Sequence, residues 1–359
     1  MTGRAERVAG WTRAAVRDLK PYYKAPLEGD PLRLDQNTNL RGPNPALAKL
    51  DARSLDATQY PSRDADPLLA ALSGFHGLPA ETFVAGNGGD ELLELLVKAF
   101  GDAGSTLAVP APTYSLYPGI AKGAGLRYKP VPTKGGFASL DVEALAATRP
   151  RMVWVANPNN PTGASYSGDD LERLLAATDG VVLVDEAYIE YAGLRHSLLK
   201  RVEEFDNLVV LRTFSKAYGL AGLRIGYLAA NRELASRLLL VKPPFNVNVY
   251  SEAAAVAALD EQEWVDEGVR TVRAERERLA VGLKALGFRV HPSEANFVLT
   301  DPPIDAGELL LALRKAGILA RTFPTTPGLE RTIRFTVGEP QHTDTLLWAL
   351  GAIVKEASA

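Results

Sequence analysis

The sequence contains no cysteine among its 359 residues, which excludes disulfide bonds, thiolate nucleophiles and zinc sites with sulfur ligands. Its four histidines lie too far apart for the short spacings of a metal site. No uninterrupted apolar run reaches the about 18 residues that a membrane-spanning helix needs. Lys and Arg total 40 against 43 Asp and Glu, so no positive excess points to nucleic acid or an anionic membrane. These absences favour a protein that acts on small molecules without a metal ion.

The composition is that of a globular protein, with 46% hydrophobic and 23% charged residues. A length of 359 residues favours two domains. The N-terminal segment is basic and amphipathic, and it lacks the apolar core and small-residue cleavage site of a secretory signal. Together with the lack of cysteine, this favours a cytoplasmic location.

Short apolar, β-branched runs alternate with helical patterns between residues 80 and 230, which is typical of a mostly parallel sheet with crossover helices. Five near-continuous runs, expected for strands buried on both faces, occupy residues 106–109, 152–155, 181–184, 208–211 and 225–228. Polar or turn residues follow the first four runs directly. Ligands bind beyond the carboxyl ends of strands in open α/β sheets, so the chemistry is expected in these four tails.

The C-terminal third predicts a smaller α+β domain. A long charged helical stretch at 262–286 precedes strand-like runs at 296–299 and 332–337, which alternate with helices. The first 35 residues, rich in proline and tyrosine between 20 and 31, are predicted to form an arm. The predicted division is therefore an arm over 1–35, a large domain over 45–250, and a small domain made of 36–44 and 251–359.

The tail of the fourth run combines a lysine, two hydroxyls and an arginine. Residues 213–224 read Thr-Phe-Ser-Lys-Ala-Tyr-Gly-Leu-Ala-Gly-Leu-Arg. A phosphorylated aldehyde needs this combination, because Lys216 can form an imine while Thr213, Ser215 and Arg224 bind the phosphate. A single lysine is usually a solvated surface residue, so the prediction depends on the pattern around it.

Other tails carry groups suited to an aromatic ring. Asp185 ends the third run, where its carboxylate could pair with a protonated pyridine nitrogen and keep the ring an electron sink; a helix cap is the alternative. Tyr188, and Asn160 in the turn Asn-Pro-Asn-Asn-Pro-Thr-Gly at 157–163, could reach a ring oxygen. Tyr114, after the first run, is placed to stack on the ring, although an isolated tyrosine is more often part of the core or its rim.

A glycine-rich turn precedes an apolar helical run. Residues 86–91 read Gly-Asn-Gly-Gly-Asp-Glu, and the glycines allow backbone N–H groups at a helix start to bind phosphate. Glu91 stands where the dinucleotide fingerprint requires its third glycine, so a nicotinamide dehydrogenase is poorly supported. No G-x-x-x-x-G-K-[ST] pattern occurs, so a P-loop nucleotide site is not indicated either.

Taken in order, these motifs resemble those of the fold-type-I aminotransferases that depend on pyridoxal 5′-phosphate, and within them the histidinol-phosphate aminotransferase group. The resemblance extends over nearly the whole chain and rests on residues 37–43, 60–61, 86–91, 112–114, 157–163, 185–188, 215–224, 295–297 and 334–338. It implies a large α/β domain with a mostly parallel seven-stranded sheet between helices, a smaller α+β domain and an N-terminal arm.

The resemblance also implies roles around the cofactor ring. Lys216 would hold the cofactor covalently and shuttle the proton, and Asp185 would pair with the ring nitrogen. Asn160 and Tyr188 would contact the ring oxygen, and Tyr114 would stack on the ring.

At the other end of the cofactor, the residues implied to surround the phosphate are Gly88, Gly89, Asp90, Thr213, Ser215 and Arg224. The resemblance further implies that Tyr60 reaches the phosphate bound by a neighbouring subunit. The protein is therefore expected to form a homodimer with shared active sites.

Four more residues are implied to serve the substrate. Arg334 and Arg321 would bind anionic groups, Tyr22 of the arm would close over the substrate, and Asn39 of the opening motif would lie beside it. The opening motif departs from the usual family sequence at two positions, which leaves the substrate open.

The activity that the resemblance implies is a ping-pong transamination between histidinol phosphate and 2-oxoglutarate, giving imidazoleacetol phosphate and glutamate. Three alternatives remain open. The first is an aminotransferase for aromatic or other amino acids or for a secondary-metabolite intermediate, and the second is an enzyme like threonine-phosphate decarboxylase. The third, a regulator that senses the cofactor, is disfavoured because only about 35 residues precede the first family motif.

Overall fold

The computed structural model describes residues 2–17, 19, 29–51 and 53–357. The strands are β1 (Leu32–Arg33), β2 (Phe83–Gly86), β3 (Thr106–Ala111), β4 (Arg127–Pro132), β5 (Met152–Ala156), β6 (Val181–Asp185), β7 (Leu208–Thr213), β8 (Gly226–Ala230), β9 (Arg289–Val290), β10 (Phe297–Asp301), β11 (Ile318–Leu319), β12 (Arg321–Thr322) and β13 (Ile333–Thr336). The helices are α1 (Thr2–Trp11), α2 (Ala14–Arg17), α3 (Ala46–Lys49), α4 (Asp66–His76), α5 (Gly89–Phe100), α6 (Tyr117–Ala124), α7 (Val142–Ala147), α8 (Gly168–Ala176), α9 (Ile189–Ala192), α10 (Arg232–Leu239), α11 (Val249–Leu259), α12 (Gln262–Ala285), α13 (Ala306–Lys315) and α14 (Pro340–Ala357). None of these helices is both long enough and apolar enough to cross a lipid bilayer.

A seven-stranded sheet forms the centre of the fold, in the order β2-β8-β7-β6-β5-β3-β4. The strands from β7 to β4 run parallel to their neighbours, whereas β8 runs antiparallel to both β7 and β2. The prediction of a mostly parallel seven-stranded α/β sheet is therefore confirmed. The run at 225–228 differs in direction from the other four, because segment 214–225 holds a 3₁₀ turn, Ala221–Leu223, in place of a crossover helix.

The inner strands are apolar over most of their length because helices cover both faces of the sheet. In β6 the side chains of Val182 and Val184 join the hydrophobic core on one face, and Leu183 joins the core on the other. This arrangement leaves the carboxyl ends of β3, β5, β6 and β7 as the places where polar side chains can gather.

A second sheet lies in the C-terminal part, in the antiparallel order β12-β13-β10-β9. Leu279 of α12, Leu309 of α13 and Leu346 of α14 share a core with Phe335 of this sheet. The predicted helix at 262–286 corresponds to α12, and the runs at 296–299 and 332–337 correspond to β10 and β13. The boundaries of the arm and the two domains stay a prediction.

Candidate active site

A cavity of about 1070 Å³ opens at the carboxyl ends of the central parallel strands. Its walls contain twelve of the residues predicted for the site: Gly89, Asp90, Tyr114, Asn160, Asp185, Tyr188, Thr213, Ser215, Lys216, Arg224, Arg321 and Arg334. All four polar tails contribute to this set, as does the glycine-rich turn. The cavity is large enough for a ligand of cofactor size together with a small substrate.

Lys216 follows β7 and extends into the cavity. Its Nζ donates to the carbonyl oxygen of Gln36 at 3.0 Å and lies 5.6 Å from the ring centroid of Tyr188. Enclosure by the protein and the nearby Arg334 guanidinium lower the pKa of Lys216 to about 8. A lowered pKa leaves a larger share of the amine unprotonated near neutral pH, which a nucleophile or a base requires.

Asp185 is the last residue of β6 and is 7% exposed. One carboxylate oxygen accepts from the hydroxyl of Tyr117 at 2.8 Å, and the other accepts from the backbone N–H of Ala187 at 3.1 Å. Burial raises the pKa of Asp185 to about 6, although these two hydrogen bonds favour the ionised form. The alternative reading as a helix cap does not apply to α9, whose N-cap is Tyr188. A cation in the cavity would stabilise the charged form further.

A hydrogen-bonded network joins the ring-side and substrate-side residues. The hydroxyl of Tyr188 accepts from the side-chain amides of Asn37 at 3.1 Å and Asn160 at 3.5 Å. Arg334 donates to the side-chain oxygen of Asn160 and to the carbonyl oxygen of Asp35 at 2.7 Å. Asn160 therefore links Tyr188 to Arg334. Burial of the Tyr188 hydroxyl raises its pKa above the usual value.

The start of α5 lies at one end of the cavity, and its geometry is suited to an anion. Gly88 is its N-cap with a φ of 84°, and a Cβ at this position would lie 2.6 Å from Nη2 of Arg224. Nη2 of Arg224 lies 3.2 Å from the carboxylate of Asp90, which also accepts from the hydroxyl of Tyr114 at 3.3 Å. A helix N-terminus next to a guanidinium attracts phosphate, and only glycine allows the guanidinium to approach so closely.

Ser215 provides a test of whether a phosphate fits here. Its hydroxyl is buried and has no hydrogen-bond partner within the part of the chain that the structure describes. An unsatisfied buried hydroxyl costs about 1–3 kcal/mol, which a phosphate oxygen would remove. Together with the amine of Lys216 and the carboxylate of Asp185 in the same cavity, this fits the cofactor expected from the sequence.

Besides Gly88, which adjoins the cavity as the N-cap of α5, three predicted site residues are not placed in the cavity wall by the structure. Asn39 is not among the described residues that line the cavity, since its side chain donates to the carbonyl oxygen of Ala217 at 3.0 Å and accepts from the N–H of Arg41 at 2.9 Å. Tyr60 is 82% exposed. Tyr22 lies outside the described residues. The roles of all three stay predictions.

Two buried residues of the site, Asn37 and Tyr117, were not predicted from the sequence. Asn37 has a φ of 54° and opens the first family motif, so its unusual backbone and its place in the motif are a usable signal. Tyr117 begins α6, where an aromatic residue three positions after Tyr114 reads as ordinary core. Its contact with Asp185 depends on how α6 packs against the central sheet, which the local sequence does not show.

Comparisons with known proteins agree with this geometry. A family model described as aminotransferase class I and II matches residues 29–350. Histidinol-phosphate aminotransferases from Roseiflexus castenholzii and Desulfitobacterium hafniense are 41% and 36% identical, over 95% and 96% of this chain and 97% and 98% of their own length. The crystal structure of histidinol-phosphate aminotransferase from Sinorhizobium meliloti in complex with pyridoxal-5′-phosphate has a TM-score of 0.83 and 28% identity, with 91% of each chain covered.

Two predictions are thereby confirmed: the fold-type-I architecture and pyridoxal phosphate as the cofactor. The transaminase class that the family resemblance implied is confirmed as well. The chain belongs to the class I and II aminotransferase family.

Proposed function

We propose that this enzyme transfers an amino group between histidinol phosphate and 2-oxoglutarate, as a histidinol-phosphate aminotransferase. The pairing of two arginines in the cavity wall carries the proposal. Arg321 of β12 and Arg334 of β13 are direct cross-strand partners, so their Cβ atoms lie about 5 Å apart. Two guanidinium groups on neighbouring strands of one cavity wall suit a phosphate monoester in one half-reaction and the carboxylates of glutamate in the other. The names of the relatives support the same substrate.

The roles of the residues around the ring follow from their positions. When bound, the cofactor supplies a ring that withdraws electrons and stabilises negative charge at the substrate Cα. Lys216 holds the cofactor and, once displaced by the substrate amine, carries the Cα proton, for which its lowered pKa suits it. Asp185 keeps the ring nitrogen protonated. Asn160 and Tyr188 orient the ring oxygen, and Tyr114 covers one face.

The residues around the cofactor phosphate anchor the cofactor while its other end exchanges the bond to Lys216 for a bond to the substrate amine. The residues proposed to hold the phosphate are Gly88, Gly89, Asp90, Thr213, Ser215 and Arg224. Arg224 supplies a charge and two donors, and Ser215 supplies a buried hydroxyl that lacks a partner among the described residues. This anchoring keeps the cofactor in place when the covalent bond to Lys216 is broken.

We also propose a homodimer with shared active sites, located in the cytoplasm. Tyr60 supports the dimer, because the residue is 82% exposed and its ring stacks on Phe245, which is 40% exposed. An exposed aromatic pair is typical of a surface that meets a partner. The division into an arm and two domains, with Tyr22 of the arm and Asn39 near the substrate, belongs to the same proposal.

A screen of single half-reactions tests the substrate. The enzyme is loaded with pyridoxamine phosphate and mixed with one keto compound at a time, and the return of the visible absorbance is followed. We expect imidazoleacetol phosphate and 2-oxoglutarate to restore it at least about 10²-fold more efficiently than aromatic 2-oxo acids, because Arg321 and Arg334 in the cavity wall favour the additional phosphate or carboxylate group that these two compounds carry. Efficient reaction with aromatic acids and none with imidazoleacetol phosphate would favour the alternative acceptor class.

The decarboxylase alternative has its own readout. Threonine phosphate is offered to the loaded enzyme, and carbon dioxide is measured alongside keto product. Transamination predicts a keto product without carbon dioxide. Release of carbon dioxide at a rate comparable to turnover would overturn the proposal.

Tyr117→Phe should change the pH dependence of cofactor binding. The hydroxyl of Tyr117 stabilises ionised Asp185, so its loss should raise the pKa of Asp185 above about 6. Binding of the cofactor requires the ionised form, so it should weaken below neutral pH and recover at higher pH. A hydrogen bond to a charged group contributes about 1.5–3 kcal/mol, which corresponds to an upward shift of about 1–2 pH units.

A matched control for this variant is Tyr166→Phe. Tyr166 is also buried, and its hydroxyl has no partner in the described ranges. It does not belong to the described cavity wall. We expect its binding curve to match that of the unmodified enzyme. Equal curves for both variants would contradict the role given to Tyr117.

A further inference from the structure

A buried lysine outside the cavity joins two surface loops. The side chain of Lys242 is 1% exposed. Its Nζ donates to the side-chain oxygen of Asn246 at 2.9 Å and to the carbonyl oxygen of Arg63 at 3.2 Å, and it pairs with the carboxylate of Asp64 at 3.1 Å. Burial of an ammonium group is costly unless such partners replace its lost hydration. Lys242 therefore holds segments 60–64 and 242–246 together as one unit, here called the brace.

One end of the brace reaches the phosphate-binding turn. The side-chain amide of Asn246 donates to a carboxylate oxygen of Glu91 at 2.6 Å. The same oxygen accepts from the backbone N–H of Asn87 at 2.6 Å. Asn87 precedes Gly88, the N-cap of α5. Asn246 thus fixes the carboxylate that shapes the turn.

The other end of the brace carries Tyr60. Phe245, the neighbour of Asn246 in sequence, stacks on Tyr60 with ring centroids 4.8 Å apart and planes at 25°. The backbone N–H of Phe245 donates to the carbonyl oxygen of Arg63 at 3.1 Å. Phe245 has a φ of 60°, which is unusual for an aromatic residue and needs the surrounding contacts to persist. The brace therefore sets the position of the Tyr60 ring.

We propose that Lys242 and Asn246 are positioning residues that couple the two active sites of the homodimer. The inference rests on the proposed function, in which Tyr60 serves the phosphate bound by the partner subunit. Within one subunit, the brace shapes the turn that binds the phosphate in the active site of that subunit. Through Phe245, the brace also positions Tyr60, which contributes to the active site of the partner subunit. A change in the brace should loosen the cofactor in both subunits.

The first test compares two asparagines of the same loop. Asn246→Ala should speed cofactor release about tenfold, since it removes a hydrogen bond to a charged group at the turn. Release is measured as the loss of visible absorbance after mixing with a scavenger of free cofactor. Asn248→Ala is the control, because Asn248 caps α11 by accepting from the N–H of Ser251 at 2.9 Å. The control should lower the melting temperature without altering release. Equal release from both variants would mean that Asn246 is merely structural.

The second test uses hybrid dimers in which one subunit carries Lys216→Ala. The visible absorbance then reports only the unmodified subunit, whose phosphate receives Tyr60 from the altered one. Adding Asn246→Ala to the altered subunit should speed release from the unmodified site several-fold relative to Lys216→Ala alone. Adding Asn248→Ala in the same place should not.

Adding Tyr60→Phe to the altered subunit distinguishes the sharing of active sites across the dimer from their coupling through the brace. If Tyr60→Phe speeds release and Asn246→Ala does not, sites are shared but the brace does not couple them, and the inference fails alone. If Tyr60→Phe has no effect, Tyr60 is not lent across the dimer, and the shared-site part of the proposed function fails together with the coupling. An effect of both variants supports the inference.

Discussion

Lys216→Ala should lower turnover by about 10⁴-fold or more and abolish the visible absorbance of the bound cofactor. Proton transfer by a positioned side chain contributes about 10²–10⁴-fold to a rate, and this variant also loses the covalent attachment. Turnover is measured with saturating cofactor, so that weaker binding does not limit the rate. Absorbance is recorded on the purified protein.

Lys216→Arg is the matched variant, because it keeps a positive charge in the cavity and cannot form the covalent bond. We expect it to lose turnover and absorbance as the alanine variant does. Substantial activity with arginine would mean that charge, rather than a nucleophilic amine, is what the site needs. Lys200→Ala, at an exposed position, should leave both readouts unchanged.

Asp185→Asn is expected to reduce turnover by about 10²–10³-fold while leaving the fold intact. The substitution preserves shape and removes the buried negative charge. A neutral amide cannot keep the ring nitrogen protonated, so the ring should withdraw electrons less well from the substrate Cα. The measurement is turnover, together with the melting temperature as a check on folding.

Glu186→Gln is the control, since it makes the same change one residue later. Glu186 is 1% exposed, lies 3.4 Å from Arg212, and is not among the described residues that line the cavity. It should cost about 1–3 kcal/mol of stability because a buried charged hydrogen bond is lost, and most of the turnover should remain. Full activity of Asp185→Asn, or an equal loss in both variants, would contradict the role of Asp185.

Much of the fold could be predicted because a strand that is buried on both faces of a sheet consists of consecutive apolar residues, which the sequence shows directly. Runs such as 152–155 and 181–184 have no polar alternation, and the structure places them as adjacent parallel strands. The chemistry at their carboxyl ends could also be predicted, since Asp185 and Lys216 each follow such a run. Both line one cavity.

The parts that could not be predicted depend on contacts between distant segments. Tyr117 meets Asp185 across 68 positions of sequence, and Asn37 meets Tyr188 across 151. The local sequence around each residue does not show such a long-range contact. The antiparallel direction of β8 could not be predicted, because the apolar pattern of a strand does not show whether a crossover helix precedes it.

The central claim is that the cofactor is bound covalently by one amine. Borohydride reduction of the purified enzyme, followed by peptide mapping with mass spectrometry, tests this most directly. We expect the reduced cofactor on Lys216 and no other lysine. A fully active enzyme in which the label lies on another lysine, or on none, would contradict the account.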